Sequence, residues 1–246
     1  MWVKVCGLRD PGLAGRLGEL SPSDRPDAVG LNFFRPSRRS IDRETARSII
    51  ETLPGEIEVV GLFVNASLED VVACQQDLGL STVQLHGDEP PGFLADLRQA
   101  LRSCGSEMAP RVRLLRAVGV GDSGLGLLAG YLETCGQVDG VPDAVLADAK
   151  MAGQYGGTGQ VAPWSLLRSE YLVESWPPLL LAGGLQPDNV AAAISAVAPV
   201  GVDTAGGVED ERGEMSLGRV AEFVRVARRA AREMRREGEG EGDGRD

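Results

Sequence analysis

Residues that can carry out chemistry recur along this chain at one kind of position, the end of a short apolar run. The first is Cys6, which closes the run of residues 2–6. The others are Asn32, Asn65, His86, Asp148 and Asp203, together with the glycine pairs Gly183–Gly184 and Gly206–Gly207. Thiol and carboxyl groups transfer protons, and adjacent glycines expose backbone N–H groups that bind anions. The set predicts proton-transfer chemistry on a phosphorylated small molecule.

Cys6 and Asp148 are the candidate pair for that chemistry. Successive side chains of a strand point to opposite faces, so Cys6 shares a face with Lys4. A neighbouring ammonium group favours the thiolate, and Asp148 is expected to face Cys6 across the mouth of the site. Such a pair suits proton removal at one atom and delivery at another. The alternative is that Cys6 is an inert buried side chain.

Eight apolar runs alternate with helical patterns and must position these residues. The runs lie near residues 2–6, 27–33, 57–64, 81–85, 111–118, 143–148, 178–182 and 199–204, and the helices near 42–53, 67–78, 91–103, 124–135, 187–196 and 216–236. This alternation favours parallel pairing with right-handed crossovers. It predicts an α/β protein, a single-domain (β/α)8 TIM barrel over residues 1–236. The active site of such a barrel lies at the carboxyl ends of its strands.

A doubly wound open sheet is the alternative fold. Gly119, Gly121 and Gly124 form a GxGxxG pattern after an apolar run. The nucleotide-binding fingerprint belongs in the first βα unit, whereas this pattern falls in the middle of the chain. A loop after a strand is therefore the favoured interpretation. A further glycine stretch, residues 156–159, is predicted to close over the ligand as a lid.

His86 is the only histidine of the chain. A mechanism that needs a histidine base must use it, although a structural histidine near the barrel mouth fits the pattern equally well. Metal sites built from several histidines are excluded, and no cluster of carboxylates predicts another kind of metal site.

Composition bounds the partners and the compartment. The chain has 246 residues, a net charge of −11 and four cysteines without a CxxC pair. An acidic surface repels nucleic-acid phosphates, and no apolar run reaches the roughly 20 residues that span a bilayer. We expect a cytoplasmic protein, monomeric or homodimeric, without nucleic-acid or membrane partners.

The C-terminal part is rich in charge. The last predicted helix carries Arg225, Arg228, Arg229, Arg232, Arg235 and Arg236. A solvated outer face is favoured over an RNA-contacting one. Residues 237–246 contain only Gly, Glu, Asp and Arg and are predicted to be a disordered acidic tail.

The same runs contain longer motifs. These are VKVCG (3–7), DAVGLNFFRPSRRSI (27–41), VGLFVN (60–65), VQLHGDE (83–89), DAVLADAK (143–150), YGGTG (155–159), LAGGLQPDNV (181–190) and GVDTAGGVE (201–209). In this order they resemble the phosphoribosylanthranilate isomerase family. The resemblance implies a (β/α)8 fold and an aldose–ketose isomerisation in tryptophan biosynthesis. N-(5′-phosphoribosyl)anthranilate would become 1-(2-carboxyphenylamino)-1-deoxyribulose 5-phosphate by an Amadori rearrangement.

The resemblance also implies catalytic roles. Asp148 would be the general acid that protonates the furanose ring oxygen, and Cys6 the general base that removes the C2′ proton. No cofactor is implied, because the anthranilate nitrogen serves as the electron sink. Arg39 would bind the anthranilate carboxylate through its planar guanidinium group, with Arg38 as its neighbour and substitute.

The remaining implied roles concern the phosphoribosyl part of the substrate. The phosphate would lie on the N–H groups of Gly183, Gly184, Gly206 and Gly207. Asp203 would orient the ribose or shape the site, and His86 is expected among the substrate-binding residues.

The chain departs from the family pattern at a few positions. Ala205 and Gly206 replace two serines, Glu214-Met215 replaces Lys-Asp, and Ala149 replaces a threonine. We expect a weaker phosphate site from the lost hydroxyls, by about 1 kcal/mol per neutral hydrogen bond. Two alternatives stay open, a related phosphosugar isomerase and a non-catalytic barrel that binds a phosphorylated metabolite.

Overall fold

Eight parallel strands close into a barrel in the computed structural model, which describes residues 1–104, 111–121, 123–149 and 163–240. The strands are β1 (Trp2–Cys6), β2 (Ala28–Asn32), β3 (Glu58–Phe63), β4 (Thr82–Leu85), β5 (Arg113–Val120), β6 (Ala144–Ala149), β7 (Leu179–Leu181) and β8 (Gly201–Thr204). Each strand pairs with the next, and β1 pairs with β8. The predicted (β/α)8 barrel is confirmed. The open-sheet alternative is wrong, because an open sheet leaves two unpaired edges.

Helices follow the strands around the barrel. They are α1 (Pro11–Leu17), α2 (Arg43–Thr52), α3 (Leu68–Leu78), α4 (Pro91–Cys104), α5 (Gly126–Gln137), α6 (Trp164–Glu170), α7 (Val190–Val197) and α8 (Leu217–Gly240), with a 3-10 turn at Gly206–Val208. The hydrophobic pattern does not predict α1 and α6, because each has seven residues, too few to show a repeating apolar stripe. A local signal for α1 does exist. The Asp10 side chain accepts a hydrogen bond from the Gly12 N–H, and Pro11 starts the helix.

The strands are apolar on both faces because both faces are covered. Val3 and Val5 belong to the large core between the barrel and its helices. Ala28, Val60 and Leu146 belong to a separate cluster inside the barrel. Lys4 pairs in register with Ala28, so its side chain also lies on the inner face of the barrel. The barrel thereby places Lys4 and Cys6 in its interior, as the alternation along β1 predicts.

The GxGxxG pattern has a structural explanation. β5 continues to Val120, two residues beyond its predicted end, so Gly119 lies within the strand. Gly121 and Gly124 belong to the loop that follows. The favoured interpretation, a strand followed by a loop, agrees with this arrangement.

Two predictions fall partly or wholly outside the described residues. The predicted lid at residues 156–159 lies outside them. α8 runs to Gly240, four residues into the predicted acidic tail, and residues 241–246 also lie outside. Over the part of the chain that the structure covers, no helix is long and apolar enough to cross a membrane.

Two arginines of α8 pair with acidic groups at the amino end of the barrel. Arg225 binds Asp24 at 3.1 Å, and Arg228 binds Asp27 at 2.8 Å. Asp27 in turn accepts a hydrogen bond from the Val3 N–H. These two arginines therefore tie α8 to the start of β1 and β2, which is a structural role.

The opposite face of α8 is expected to carry much of the stability of the barrel. Phe223 is fully buried there. Phe223→Ala should lower the free energy of unfolding by about 3–5 kcal/mol, because it removes an aromatic ring and leaves a cavity. Urea unfolding measures the loss. The control Arg229→Ala, on the exposed face, should change it by less than about 0.5 kcal/mol. Equal effects of the two substitutions would contradict the packing described.

Candidate active site

A cavity of about 330 Å³ lies at the carboxyl ends of the strands. Arg39, Asp148, Asp203 and the glycine pairs Gly183–Gly184 and Gly206–Gly207 line it. A larger cavity, of about 740 Å³, lies beside the loops after β2 and β3 and contains none of these residues. The structure thus brings seven of the nine predicted site residues around one opening. The other two, Cys6 and His86, interact with members of this group.

Lys4 and Asp203 form an ion pair inside the barrel. The Lys4 ammonium donates to Asp203 Oδ1 at 2.9 Å, and the lysine side chain is fully buried. Burial lowers the pKa of Lys4, but Asp203 and Cys6, through their charges and hydrogen bonds, together outweigh that effect, so the net pKa is raised. Lys4 is therefore a fixed positive charge. Asp203 was predicted to orient the ribose or shape the site, and its hydrogen-bond partner here is Lys4.

Cys6 lies within the influence of this ion pair. Burial raises the pKa of the Cys6 thiol, Lys4 opposes that rise, and Asp203 adds to it. The net pKa is raised, so resting Cys6 is a thiol. The expected effect of the neighbouring ammonium is present, but the cost of burying a thiolate is larger.

His86 and Asp148 meet across the ends of β4 and β6. His86 Nε2 lies 3.6 Å from Asp148 Oδ2, and both side chains are nearly buried. Burial lowers the pKa of His86 to about 4, and the positive charges of Lys4 and Arg116 act in the same direction. The imidazole is therefore uncharged at neutral pH, and the two side chains do not form an ion pair there. The separation of 3.6 Å is longer than a hydrogen bond, so His86 lies beside the Asp148 carboxyl group without bonding to it at this distance.

The glycine loops after β7 and β8 are fixed to each other. Gly183 and Gly184 have φ angles of 82° and 62°, a conformation that glycine adopts without strain. A Cβ atom on Gly207 would lie 1.9 Å from the Leu185 carbonyl oxygen, so the two loops touch through backbone. The Thr204 hydroxyl donates to the same carbonyl at 2.6 Å. This contact holds both sets of backbone N–H groups around one cavity.

Arg39 is held by Glu209, a residue that the sequence analysis did not single out. Arg39 Nε donates to Glu209 Oε1 at 2.5 Å, and Arg38 binds the other carboxylate oxygen. Burial raises the pKa of Glu209, but its bonds to the two arginines outweigh this effect and lower the net pKa. Among the described residues the side-chain hydrogen bond of Arg39 is made by Nε, which leaves its terminal nitrogens for another anion. Glu209 lies directly after the 3-10 turn of the glycine loop, and the motif GVDTAGGVE contained it.

The two asparagines at strand ends shape loops. Asn32 Oδ1 accepts a hydrogen bond from the Phe34 N–H, and its amide nitrogen donates to Ser37 Oγ at 3.2 Å. These bonds fold the loop that presents Arg39. Asn65 adopts a positive φ of 50° and accepts from the Asp88 N–H at 2.7 Å, which ties the loops after β3 and β4 together.

Comparison with known proteins agrees with this geometry. A family profile described as N-(5′-phosphoribosyl)anthranilate (PRA) isomerase matches residues 3–226. The N-(5′-phosphoribosyl)anthranilate isomerase of Myxococcus xanthus (strain DK1622) is 40% identical over 233 residues, which cover 92% of this chain and 95% of the relative. The chain belongs to the PRA isomerase family. The family predicted from the sequence motifs is confirmed.

Solved structures of PRA isomerases have the same architecture. The enzyme from Thermotoga maritima is 30% identical with a TM-score of 0.73, over 93% of this chain and 98% of that one. Another PRA isomerase structure is 29% identical with a TM-score of 0.71 and the same coverage. That protein is described in complex with reduced 1-(o-carboxyphenylamino)-1-deoxyribulose 5-phosphate. The predicted enzyme class, an aldose–ketose isomerase, is likewise confirmed by family membership.

The buried, uncharged state of His86 makes stability depend on pH. The folded protein protonates His86 only near pH 4, whereas the unfolded chain does so near 6.5. Between these values the unfolded state binds more protons, so His86 makes stability fall as pH falls, by at most about 1.4 kcal/mol per pH unit. In His86→Gln this contribution should disappear. Urea unfolding at pH 4.5, 5.5, 6.5 and 7.5 measures this contribution. If the free energy of unfolding depended on pH in the same way in the wild type and in His86→Gln, a neutral His86 would be contradicted.

The bond from Glu209 is expected to aim Arg39 at the substrate. Glu209→Gln keeps the size of the side chain but loses its charge, so Arg39 should be held less firmly. KM for phosphoribosylanthranilate should rise about three- to tenfold with kcat nearly unchanged, in line with one weakened charge-assisted bond. Steady-state kinetics decide. A lower KM would instead mean that Glu209 competes with the substrate for Arg39. The control is Asp77→Asn, which keeps the size of the side chain and removes the charge of a surface partner of Arg47.

Proposed function

We propose that this chain converts N-(5′-phosphoribosyl)anthranilate into 1-(2-carboxyphenylamino)-1-deoxyribulose 5-phosphate, with Cys6 as general base and Asp148 as general acid. One observation carries the assignment of these two residues. Asp148, at the end of β6, lines the cavity together with the glycine loops and Arg39, and the Cys6 thiol, at the end of β1, lies within the electrostatic influence of Arg39 and Asp203. The family membership supplies the reaction.

The two anionic ends of the substrate match two parts of the site. The phosphate would lie on the backbone N–H groups of the loops at Gly183–Gly184 and Gly206–Gly207, which line the cavity. The anthranilate carboxylate would pair with the terminal nitrogens of Arg39. The compound in the related structure carries a phosphate and a carboxyphenyl group as well. The family's two serine hydroxyls are lost at Ala205 and Gly206, so phosphate binding relies on backbone donors.

Ring opening is the first chemical step of the proposed mechanism. Asp148 donates a proton to the furanose ring oxygen as the C1′–O bond breaks, and the nitrogen lone pair forms the C1′=N bond. The product is a protonated Schiff base. His86 lies 3.6 Å from Asp148 and is uncharged, so it places no positive charge beside the carboxyl group.

Proton removal from C2′ is the second step, and Cys6 performs it. The cationic Schiff base makes the C2′ proton more acidic and attracts the thiolate form of Cys6. The C2′–H electrons form the C1′=C2′ bond, and the C=N electrons return to nitrogen. The enolamine then tautomerises to the ketone, so C1′ is reduced and C2′ oxidised within one molecule. The reaction needs no external oxidant or reductant, and we propose no cofactor and no metal.

The partners and the location of the chain are also proposals. A small phosphorylated substrate fits the cavity, and the net charge of −11 argues against nucleic-acid partners. Cys6, Cys74 and Cys135 carry free thiols, which supports a reducing compartment such as the cytoplasm. A monomeric or homodimeric state stays a prediction that sedimentation measures.

Removing either proton-transfer group should abolish turnover. Cys6→Ser and Asp148→Asn are each expected to lower kcat by about 10²–10⁴, the contribution typical of one general acid or base. Loss of substrate fluorescence, with freshly prepared phosphoribosylanthranilate, measures the rate. The dissociation constant for the product should change little, because neither group holds the phosphate or the carboxylate.

Matched controls separate catalysis from folding. Cys74→Ser changes another buried thiol, on α3, and Asp77→Asn changes an exposed carboxylate, so both should keep full activity. Lack of turnover by folded wild-type protein would contradict the proposed reaction. Product binding that persists in such an inactive protein would favour the non-catalytic barrel.

A further inference from the structure

We propose that Lys4, paired with Asp203, is a positioning residue that sets the proton affinity of Cys6. Lys4 does not exchange protons with the substrate in this proposal. It acts through the thiol, as a permanent positive charge one layer deeper in the barrel. The inference rests on the proposed role of Cys6 as general base and goes beyond it, by naming the group that makes a buried thiol usable as a base.

The register of the barrel brings the three side chains together. Lys4 and Cys6 are two residues apart on β1 and share its inner face. Lys4 pairs in register with Asp203 on β8, and its ammonium lies 2.9 Å from the carboxylate. The closure between the first and last strands therefore creates the pair directly beneath the thiol.

A stability role alone does not account for this pair. Several other buried inner positions are uncharged, apolar at Ala28, Val60 and Leu146 and polar but neutral at Thr82 and Gln84. Burying two charges costs several kcal/mol per ion before their attraction compensates, and apolar replacements of buried ion pairs are often neutral or stabilising. An ion pair kept among uncharged inner side chains, next to the proposed base, points to a functional contribution.

The charges around Cys6 have opposing effects. Lys4 from β1 favours the thiolate, as does Arg39 from the loop after β2. Asp203 from β8 opposes them more weakly than Lys4 acts. Gly30, the neighbour on β2, brings no charge, and Asp148 and His86 stand elsewhere around the same opening. The net effect of the pair is to favour the thiolate, against the effect of burial.

Asp203 has the complementary task of keeping Lys4 charged. A lysine buried alone would lose its proton, because burial lowers the pKa of an amine. The charge of Asp203 and its hydrogen bond, together with Cys6, oppose this effect, and the net pKa of Lys4 is raised. The positive charge therefore persists through the catalytic cycle, while the proton from C2′ moves to the sulfur and back.

Alkylation of Cys6 by iodoacetamide tests the inference without requiring turnover. The thiolate is the reactive form, so the rate against pH gives the proton affinity of the thiol. Peptide mass spectrometry reports Cys6 separately from the other cysteines in the full chain. Lys4→Met should move the midpoint up by about one pH unit or more, so that alkylation at neutral pH slows about tenfold. The rising limb of kcat/KM should move by the same amount, with KM nearly constant.

Two further variants keep the test decisive. The double variant Lys4→Met/Asp203→Asn removes both charges and leaves no unpaired ion, so it can be tested even if the single variant does not fold. The midpoint of Cys6 alkylation should also rise in this double variant. Arg116→Met removes another buried cation, from a pair with Glu89 on the outer side of β5, and should leave the midpoint of Cys6 unchanged.

The outcomes distinguish this inference from the proposed function. An unchanged midpoint in the folded single or double variant would overturn the role of Lys4, even if the wild type isomerises its substrate. A raised midpoint in Lys4→Met, absent in Arg116→Met, would support it, even in a protein that showed no turnover. Recovery of kcat/KM by Lys4→Met at high pH would exclude a purely structural role.

Discussion

The Lys4–Asp203 ion pair joins the first and last strands of the barrel from the inside, and the site depends on it. Its two charges are buried within 2.9 Å of each other, where neither would persist alone. The pair exists only because β1 and β8 are neighbours in register. The pairing of β1 with β8 that closes the barrel therefore also sets the charges next to Cys6.

Above that layer, the loops after β2, β7 and β8 form a second connected unit. Thr204 binds the carbonyl of Leu185 and fixes the two glycine loops, and Glu209 continues from one of them to hold Arg39. The groups proposed to bind phosphate and carboxylate are thus mechanically linked. A substrate with both anionic ends meets preorganised partners, which lowers the cost of ordering them on binding.

Much of the site was predictable because parallel strands end on one side of a barrel. Cys6, Asp148 and the glycine pairs each follow an apolar run, and finding the runs was enough to collect them. Glu209 was missed because it lies beyond the glycines, where no strand ends, and its importance comes from a contact 170 residues away with Arg39. The protonation state of Cys6 could not be predicted from the sequence either, because it depends on how deeply the thiol is buried.

The sequence by itself determined the alternation of strands and helices, the family motifs and the identity of the groups at the strand ends. These follow from local hydrophobic patterns and from residue types, which need no knowledge of distant contacts. Only the tertiary structure decided which charges face Cys6, that His86 is neutral beside Asp148, and that Glu209 holds Arg39. The physical reason is that burial and Coulomb interactions depend on three-dimensional distance, which separation along the chain does not set.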